Sequence, residues 1–160
     1  MAVKNSHMNL LKAFVLSIYD FSRGSIWKIR ENEWKEKLGE KYDQKSNRIW
    51  HPGLSIKKKQ PRTFYELVPV LHGSTGNRNG VVVKGLTSYR GEYHTTVFRD
   101  IGPSSFKVGD VFKGDKIMPG EKPAGNWYQH NAIAKNHWKP RLDADEQRSL
   151  LDFLKRRGLD

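Results

Sequence analysis

Three short segments constrain the fold of this chain more than anything else in it. They are Arg23-Gly24-Ser25-Ile26-Trp27-Lys28-Ile29, Trp50-His51-Pro52-Gly53-Leu54-Ser55-Ile56 and Leu67-Val68-Pro69-Val70-Leu71-His72-Gly73-Ser74-Thr75. Each is one strand long and rich in β-forming residues, and each opens or ends in polar, hydrogen-bonding or basic groups. On a chain with a formal charge of +12, such segments suggest a small barrel that offers a positive, His-bearing groove to a polyanion.

A length of 160 residues corresponds to one domain and is enough to bury a core. Five Trp, six Tyr and seven Phe are too many large apolar groups for a disordered polyelectrolyte. Lys and Arg total 29 against 17 Asp and Glu, an excess that draws anionic partners, of which nucleic acid is the commonest. The absence of Cys excludes disulfides, thiol catalysis and Cys-ligated zinc. The apolar run Leu10 to Tyr19 is interrupted by Lys12 and bounded by Asp20. It falls well short of the ~20 residues a membrane span needs, and no small-x-small cleavage site follows it. A cytoplasmic protein with no membrane association is therefore expected.

Leu11, Phe14, Val15 and Ile18 have the spacing of one helical face. Residues 1–22 thus read as a helical extension, its helix over 9–20 laid on an open side of the barrel, and residues 23–160 as the barrel domain. Ile26 to Ile29 is the first strand. In the charged stretch 31–48, the four-residue spacing of Trp34, Leu38 and Tyr42 fits a short helix, while Gly39 and the charges fit a surface loop equally well. Ile49 to Ile56 is the second strand, which Pro52 confines to an edge or a strand start. Thr63 to Leu71 is the third. Gly73 to Gly80 is a turn cluster whose Asn79-Gly80 signals a hairpin. Val81-Val82-Val83 begins a fourth strand, His94 to Arg99 is a fifth, and Val108 to Met118 supplies one or two more. Asp143, with Glu146 three residues on, starts a C-terminal helix by a capping-box pattern. Gln147, Leu150, Leu151 and Leu154 share its face, Lys155, Arg156 and Arg157 fill its last turn, and Gly158 takes the left-handed cap. The expected class is mainly β: a small barrel with an N-terminal and a C-terminal helix.

None of the six His residues has zinc-motif spacing, and no P-loop or nucleophile elbow occurs, so no cofactor or metal is called for. The better constellation is His51 at the start of strand two and His72 at the end of strand three. In antiparallel neighbours these positions adjoin, and both imidazoles can face one groove end. Metal-free RNA cleavage needs a base for the 2′-hydroxyl proton, an acid for the leaving 5′-oxygen and a cation at the phosphate. Imidazole, with an unperturbed pKa near ~6.5, suits both proton transfers. His51 and His72 would share them, with Ser74 or Thr75 and Arg48 holding the phosphate. Arg48, Lys57, Lys58, Lys59 and Arg62 flank strand two at both ends. They read either as a solvated edge that resists aggregation or as an RNA-binding track, with Trp50 or Tyr65 available to stack on a base.

Arg23-Gly24-Ser25-Ile26-Trp27 also resembles the Arg-Gly-Asp-Ile-Trp opening of the MazF/PemK toxin ribonucleases. The family's Arg-Pro before a hydrophobic strand has its counterpart in His51-Pro52-Gly53-Leu54-Ser55-Ile56, and its next strand is similar to Val68 through Thr75. A later strand and the terminal helix would match Thr95 to Phe98 and Asp143 to Lys155, so the resemblance spans roughly residues 23–157 on two or three short motifs. It implies an SH3-like barrel, usually a homodimer, that cuts single-stranded RNA without metal and is silenced by an acidic antitoxin protein. Two departures stand out: His51 replaces the family's catalytic Arg, and Ser25 replaces its Asp. A shift is needed to align Ser74 or Thr75 with the family's Thr or Ser. The alternatives are a nucleic-acid-binding barrel without catalysis, and a toxin-like barrel that inhibits a protein target such as gyrase.

Overall fold

The computed structural model describes residues 21–42, 50–63, 65–74, 79–87, 93–102, 104–107, 125–126 and 141–159. β1 (Ile26–Arg30) runs straight into α1 (Glu31–Leu38), which a 3-10 turn over Gly39–Lys41 ends. β2 (Trp50–Ser55), β3 (Leu67–Ser74), β4 (Val81–Thr87), β5 (Tyr93–Arg99), β6 (Ser105–Lys107) and β7 (Gly125–Asn126) follow, then α2 (Ala144–Arg157). The strands pair antiparallel in the order β4-β5-β3-β2-β1-β7, with β6 against the first half of β3. The chain is mainly β, a curled half-barrel sheet with flanking helices.

Period-two alternation gives the sheet two apolar faces. Ile26, Leu54 and Leu71 join Val81, Val83, Leu86 and Phe98 in one core, closed by Leu150, Phe153 and Leu154 of α2. Trp27, Ile29, Val68 and Val70 point the other way and join Phe21, Phe106 and Trp34 of α1. His72 has the parity of Val68 and Val70, so it belongs to the second face. His51, two residues from Gly53 and three from Leu54, has that parity too.

α2 begins and ends as its sequence requires. The Asp143 carboxylate accepts from the Glu146 backbone N–H at 2.8 Å, and the Glu146 side chain accepts from the Asp143 N–H at 3.1 Å. Gly158 takes the left-handed conformation (φ 67°) that a side chain disfavours. Phe153, rather than Leu151, is buried beside Leu150 and Leu154, a three-residue offset from Leu150 that the leucines alone concealed. α1 resolves the helix-or-loop alternative for 31–38 in favour of a helix. The helix over 9–20 and the strands over Val108–Met118 lie outside the described residues. Among the described residues no helix is long and apolar enough to cross a membrane.

Two expectations need correction. β3 and β4 do not form a hairpin across Gly73–Gly80: β5 lies between them, antiparallel to both. The Asn79-Gly80 signal is local, whereas β5 pairs with β4 from Tyr93 to Phe98 across one irregularity and takes the end of β3, so the longer pairing decides the order. Of the edge and strand-start alternatives for Pro52, the strand start is the one observed, since β1 and β3 flank β2. Pro52 is tolerated because pairing with β3 begins only at Gly53, so no β3 carbonyl needs a Pro52 N–H. The third strand is Leu67–Ser74, beginning and ending later than the expected Thr63 to Leu71, which brings His72 and Gly73 inside it.

Gly73 is held by close approach. A methyl group there would lie 2.7 Å from Phe98 Cε1, 2.7 Å from Pro52 Cγ and 2.9 Å from Thr96 Cγ2. None of these groups is the end of a flexible side chain. Gly73→Ala is expected to lower stability by about 1–3 kcal/mol through overpacking, read as a lower urea midpoint at unchanged slope.

Candidate functional site

The second apolar face ends in a polar cluster where β1, α1, β2 and β3 meet. Glu31 is the first residue of α1, placed by the end of β1 at Arg30, whose partner in β2 is Trp50. A carboxylate in the first helical turn is favoured by the unpaired backbone N–H groups there. Three residues on, Trp34 is fully buried. Its ring meets His72 edge-on at 4.6 Å and Phe106 at 5.0 Å, and its indole N–H donates to the His51 carbonyl at 3.3 Å. The 3-10 turn then folds the chain back, with Tyr42 N–H donating to the Gly39 carbonyl at 3.1 Å. This brings the Tyr42 hydroxyl onto Glu31.

The two His rings arrive by strand register. His72 is paired with Gly53, so His51 is its diagonal neighbour on the same face, and Gly53 puts no side chain between them. The rings stack at 5.0 Å with a 27° tilt. His51 Nδ1 bonds Glu31 Oε1. The Tyr42 hydroxyl lies 2.8 Å from each Glu31 oxygen and 3.0 Å from His72 Nε2.

Donor and acceptor capacity fixes the protons. A carboxylate only accepts, so the Tyr42 hydroxyl donates to Glu31 and accepts from His72 Nε2–H. The His72 Nδ1 lone pair is then buried without a hydrogen-bond partner. By the same rule His51 donates Nδ1–H to Glu31, which leaves a lone pair on its Nε2. With 14% of its side chain exposed, His51 is the member of the cluster open to a ligand, whereas Glu31 and His72 are buried.

Burial pushes the His72 imidazole down to about 3, helped by the charges of His51 and Arg99. Burial also raises the Tyr42 phenol, and the Glu31 hydrogen bond and charge raise it further, so its hydroxyl remains a donor. His72 is therefore neutral near pH 7, donating Nε2–H to Tyr42 and stacking against His51. Arg99 is the direct partner of His72 in β5, which sets a guanidinium-bearing residue on this face.

Ser74 ends β3 two residues beyond His72, half-buried and paired with Val97. Thr75 and Arg48 lie outside the described residues, and Trp50 is described only as a backbone partner of Arg30. Lys57, Lys58 and Arg62 follow the other end of β2. Six residues of extended chain separate His51 from Lys57, about 20 Å, so these cations do not share a phosphate with the imidazoles. Lys57 pairs with Glu66 at 3.5 Å, and Lys58 and Arg62 are exposed. Ser25 is wholly buried and accepts from the Trp27 indole at 2.9 Å while donating to the Ser22 carbonyl at 2.7 Å, a structural position. Sequence reasoning missed Glu31, Tyr42 and Arg99. The only available signal was the Trp34-Leu38-Tyr42 spacing, which marks the helix but not the carboxylate. No family model, curated protein or solved structure matches the chain.

The depressed His72 value has a defined consequence for stability. Between the ordinary value of 6.5 and about 3, the unfolded chain binds a proton that the native state refuses. Stability therefore falls as pH drops through this window, with a slope of up to about 1.4 kcal/mol per pH unit from this group. Urea titrations from pH 7 to pH 4 should show a shallower loss in His72→Gln than in the native chain. Equal slopes would contradict the assignment.

Proposed function

We propose that this chain is a MazF/PemK-like endoribonuclease that cleaves single-stranded RNA by 2′-hydroxyl attack. The observation that carries the reading is His51, fixed at Nδ1 by the Glu31 carboxylate with the Nε2 lone pair left for a substrate. A carboxylate–imidazole pair of this kind sets tautomer and ring orientation in general-base sites. In the proposed reaction, His51 Nε2 takes the 2′-hydroxyl proton and the 2′-oxygen attacks phosphorus. The bond to the 5′-oxygen breaks, and the imidazolium formed at His51 returns its proton to that oxygen. The products are a 2′,3′-cyclic phosphate and a 5′-hydroxyl.

The cation at the phosphate is Arg99, with Ser74, Thr75 and Arg48 as further ligands in this reading. His72, neutral and buried, positions Tyr42 and the His51 ring. Lys57, Lys58 and Arg62 would hold the strand farther along, with Tyr65, two-thirds exposed, as a stacking surface. The charge of +12 suits an acidic antitoxin protein as the silencing partner. The same resemblance carries the expectation of a homodimer working on RNA in the cytoplasm.

The test is incubation of the purified chain with single-stranded RNA in EDTA. Fragments ending in cyclic phosphate are expected, with rates at least about 100-fold lower in His51→Ala and clearly reduced in Glu31→Gln. Intact RNA, or equal cleavage by His51→Ala, would end this reading. RNA that is bound with steep salt dependence yet stays whole would establish the non-catalytic barrel instead.

A further inference from the structure

We propose that Glu31, His51 and His72 form a binding site for a divalent transition-metal ion of the zinc class, and that the bound ion switches His51 off as a base. The binding half stands alone; the inhibitory half rests on the ribonuclease reading. One donor atom from each of the three residues lies within 4.8 Å of the other two. Three separate elements supply them: the β1–α1 junction, β2 and β3. Their mutual position is set by antiparallel register and by the buried Trp34 rather than by a loop.

The donor set selects the ion. Two imidazoles and one carboxylate suit zinc, cobalt, nickel or iron, whereas magnesium and calcium prefer oxygen donors throughout. Three protein ligands leave a fourth position for water or for the Tyr42 oxygen, already 2.8 Å from the carboxylate. Ligand bonds of about 2.0–2.2 Å require the donors to draw closer together. His72 can supply that movement by turning about its Cβ–Cγ bond. Its Nδ1 has no hydrogen-bond partner, so the hydrogen bond the turn breaks is that to Tyr42, and the ring contacts with His51 and Trp34 shift with it. His72 is 94% buried by its 6% exposure, and a coordinate bond would satisfy a nitrogen that otherwise has nothing to meet.

Coordination has a chemical consequence at His51. A metal ion on Nδ1 uses the lone pair of that nitrogen, so the ring's one remaining proton must sit on Nε2. The atom that would accept the 2′-hydroxyl proton then becomes a donor. Glu31, the orienting carboxylate, is taken by the same ion. Occupancy and general-base action at His51 exclude each other.

The experiment is calorimetric titration of the full chain with ZnCl2, with Co(II) absorption as a spectroscopic reporter and MgCl2 as control. One zinc ion per chain is expected, with melting temperature raised by zinc and not by magnesium. His51→Ala, His72→Ala and Glu31→Gln should each weaken zinc binding at least about tenfold. Histidine NMR signals of the unmutated chain give a second readout that needs no variant to fold: zinc should shift those of His51 and His72. Binding unchanged in the variants, shifts confined to other histidines, or no binding would overturn the site. In the RNA assay zinc should lower cleavage at least tenfold and EDTA restore it. Zinc bound at these residues with cleavage unaffected would overturn the switch. Zinc bound there by a chain that never cuts RNA would uphold the site and remove the ribonuclease reading.

Discussion

A carboxylate buried where a strand becomes a helix has to be met by hydrogen-bond donors, because an uncompensated buried charge costs several kcal/mol. Glu31 is in that position, and its two donors come from opposite directions. Tyr42 reaches it from the segment after α1, and His51 from the start of β2. Satisfying one side chain therefore fixes the return path of the chain after α1 and the placement of the imidazole that faces solvent. Trp34 walls the cluster from the apolar core and ties itself to β2 through the His51 carbonyl. Each of these contacts needs the others, since Glu31 is buried and solvent reaches little of it.

The two faces of the sheet divide the work. The α2 face is packed by aliphatic residues and Phe98 and Phe153, with the helix held at its N-terminus by a capping box. Thr96 is its buried polar side chain beside Phe98, while Glu31 and the imidazoles lie on the other face, so it can provide stability without constraining chemistry. The other face carries the aromatic residues Phe21, Trp27, Trp34 and Phe106. Their rings meet edge-on, at 4.3 Å between Phe21 and Trp27, which leaves a rigid wall beside the polar rim. A rigid wall is what a hydrogen-bonded chain of four side chains requires, since each bond tolerates only a few tenths of an ångström of drift.

Local pattern made much of this fold legible. Strand positions followed β-forming runs, α2 followed its caps, and the approach of His51 to His72 followed from antiparallel pairing of two adjacent strands. What pattern cannot convey is a contact without periodicity. Glu31 sits in a run of charges that resembles any solvated surface, and its partners are 11 and 20 residues away. Strand order failed for a related reason: Asn79-Gly80 describes a turn, whereas the insertion of β5 beside β3 is a long-range pairing. The basic cluster at Lys57–Arg62 adjoins the imidazole-bearing strand in sequence. Extended geometry then carries it to the far end of β2.

A histidine ahead of Pro52 gives that position options that an arginine would not have. A guanidinium keeps its charge and offers only donors, so it can neutralise a phosphate but cannot take up a proton or a metal ion. An imidazole can do both, but only if something sets which nitrogen carries the hydrogen. Here the Glu31 carboxylate sets it. Stacking on a second, buried imidazole then limits how far the ring can turn. The two rings are consequently unequal. The buried one holds a neutral, fixed tautomer and supports the arrangement, whereas the exposed one is left with a lone pair and room to use it. That asymmetry follows from burial first and then from the partner each ring has, Tyr42 for His72 and Glu31 for His51. It is why a pair of histidines drawn together by strand register need not share the same chemistry.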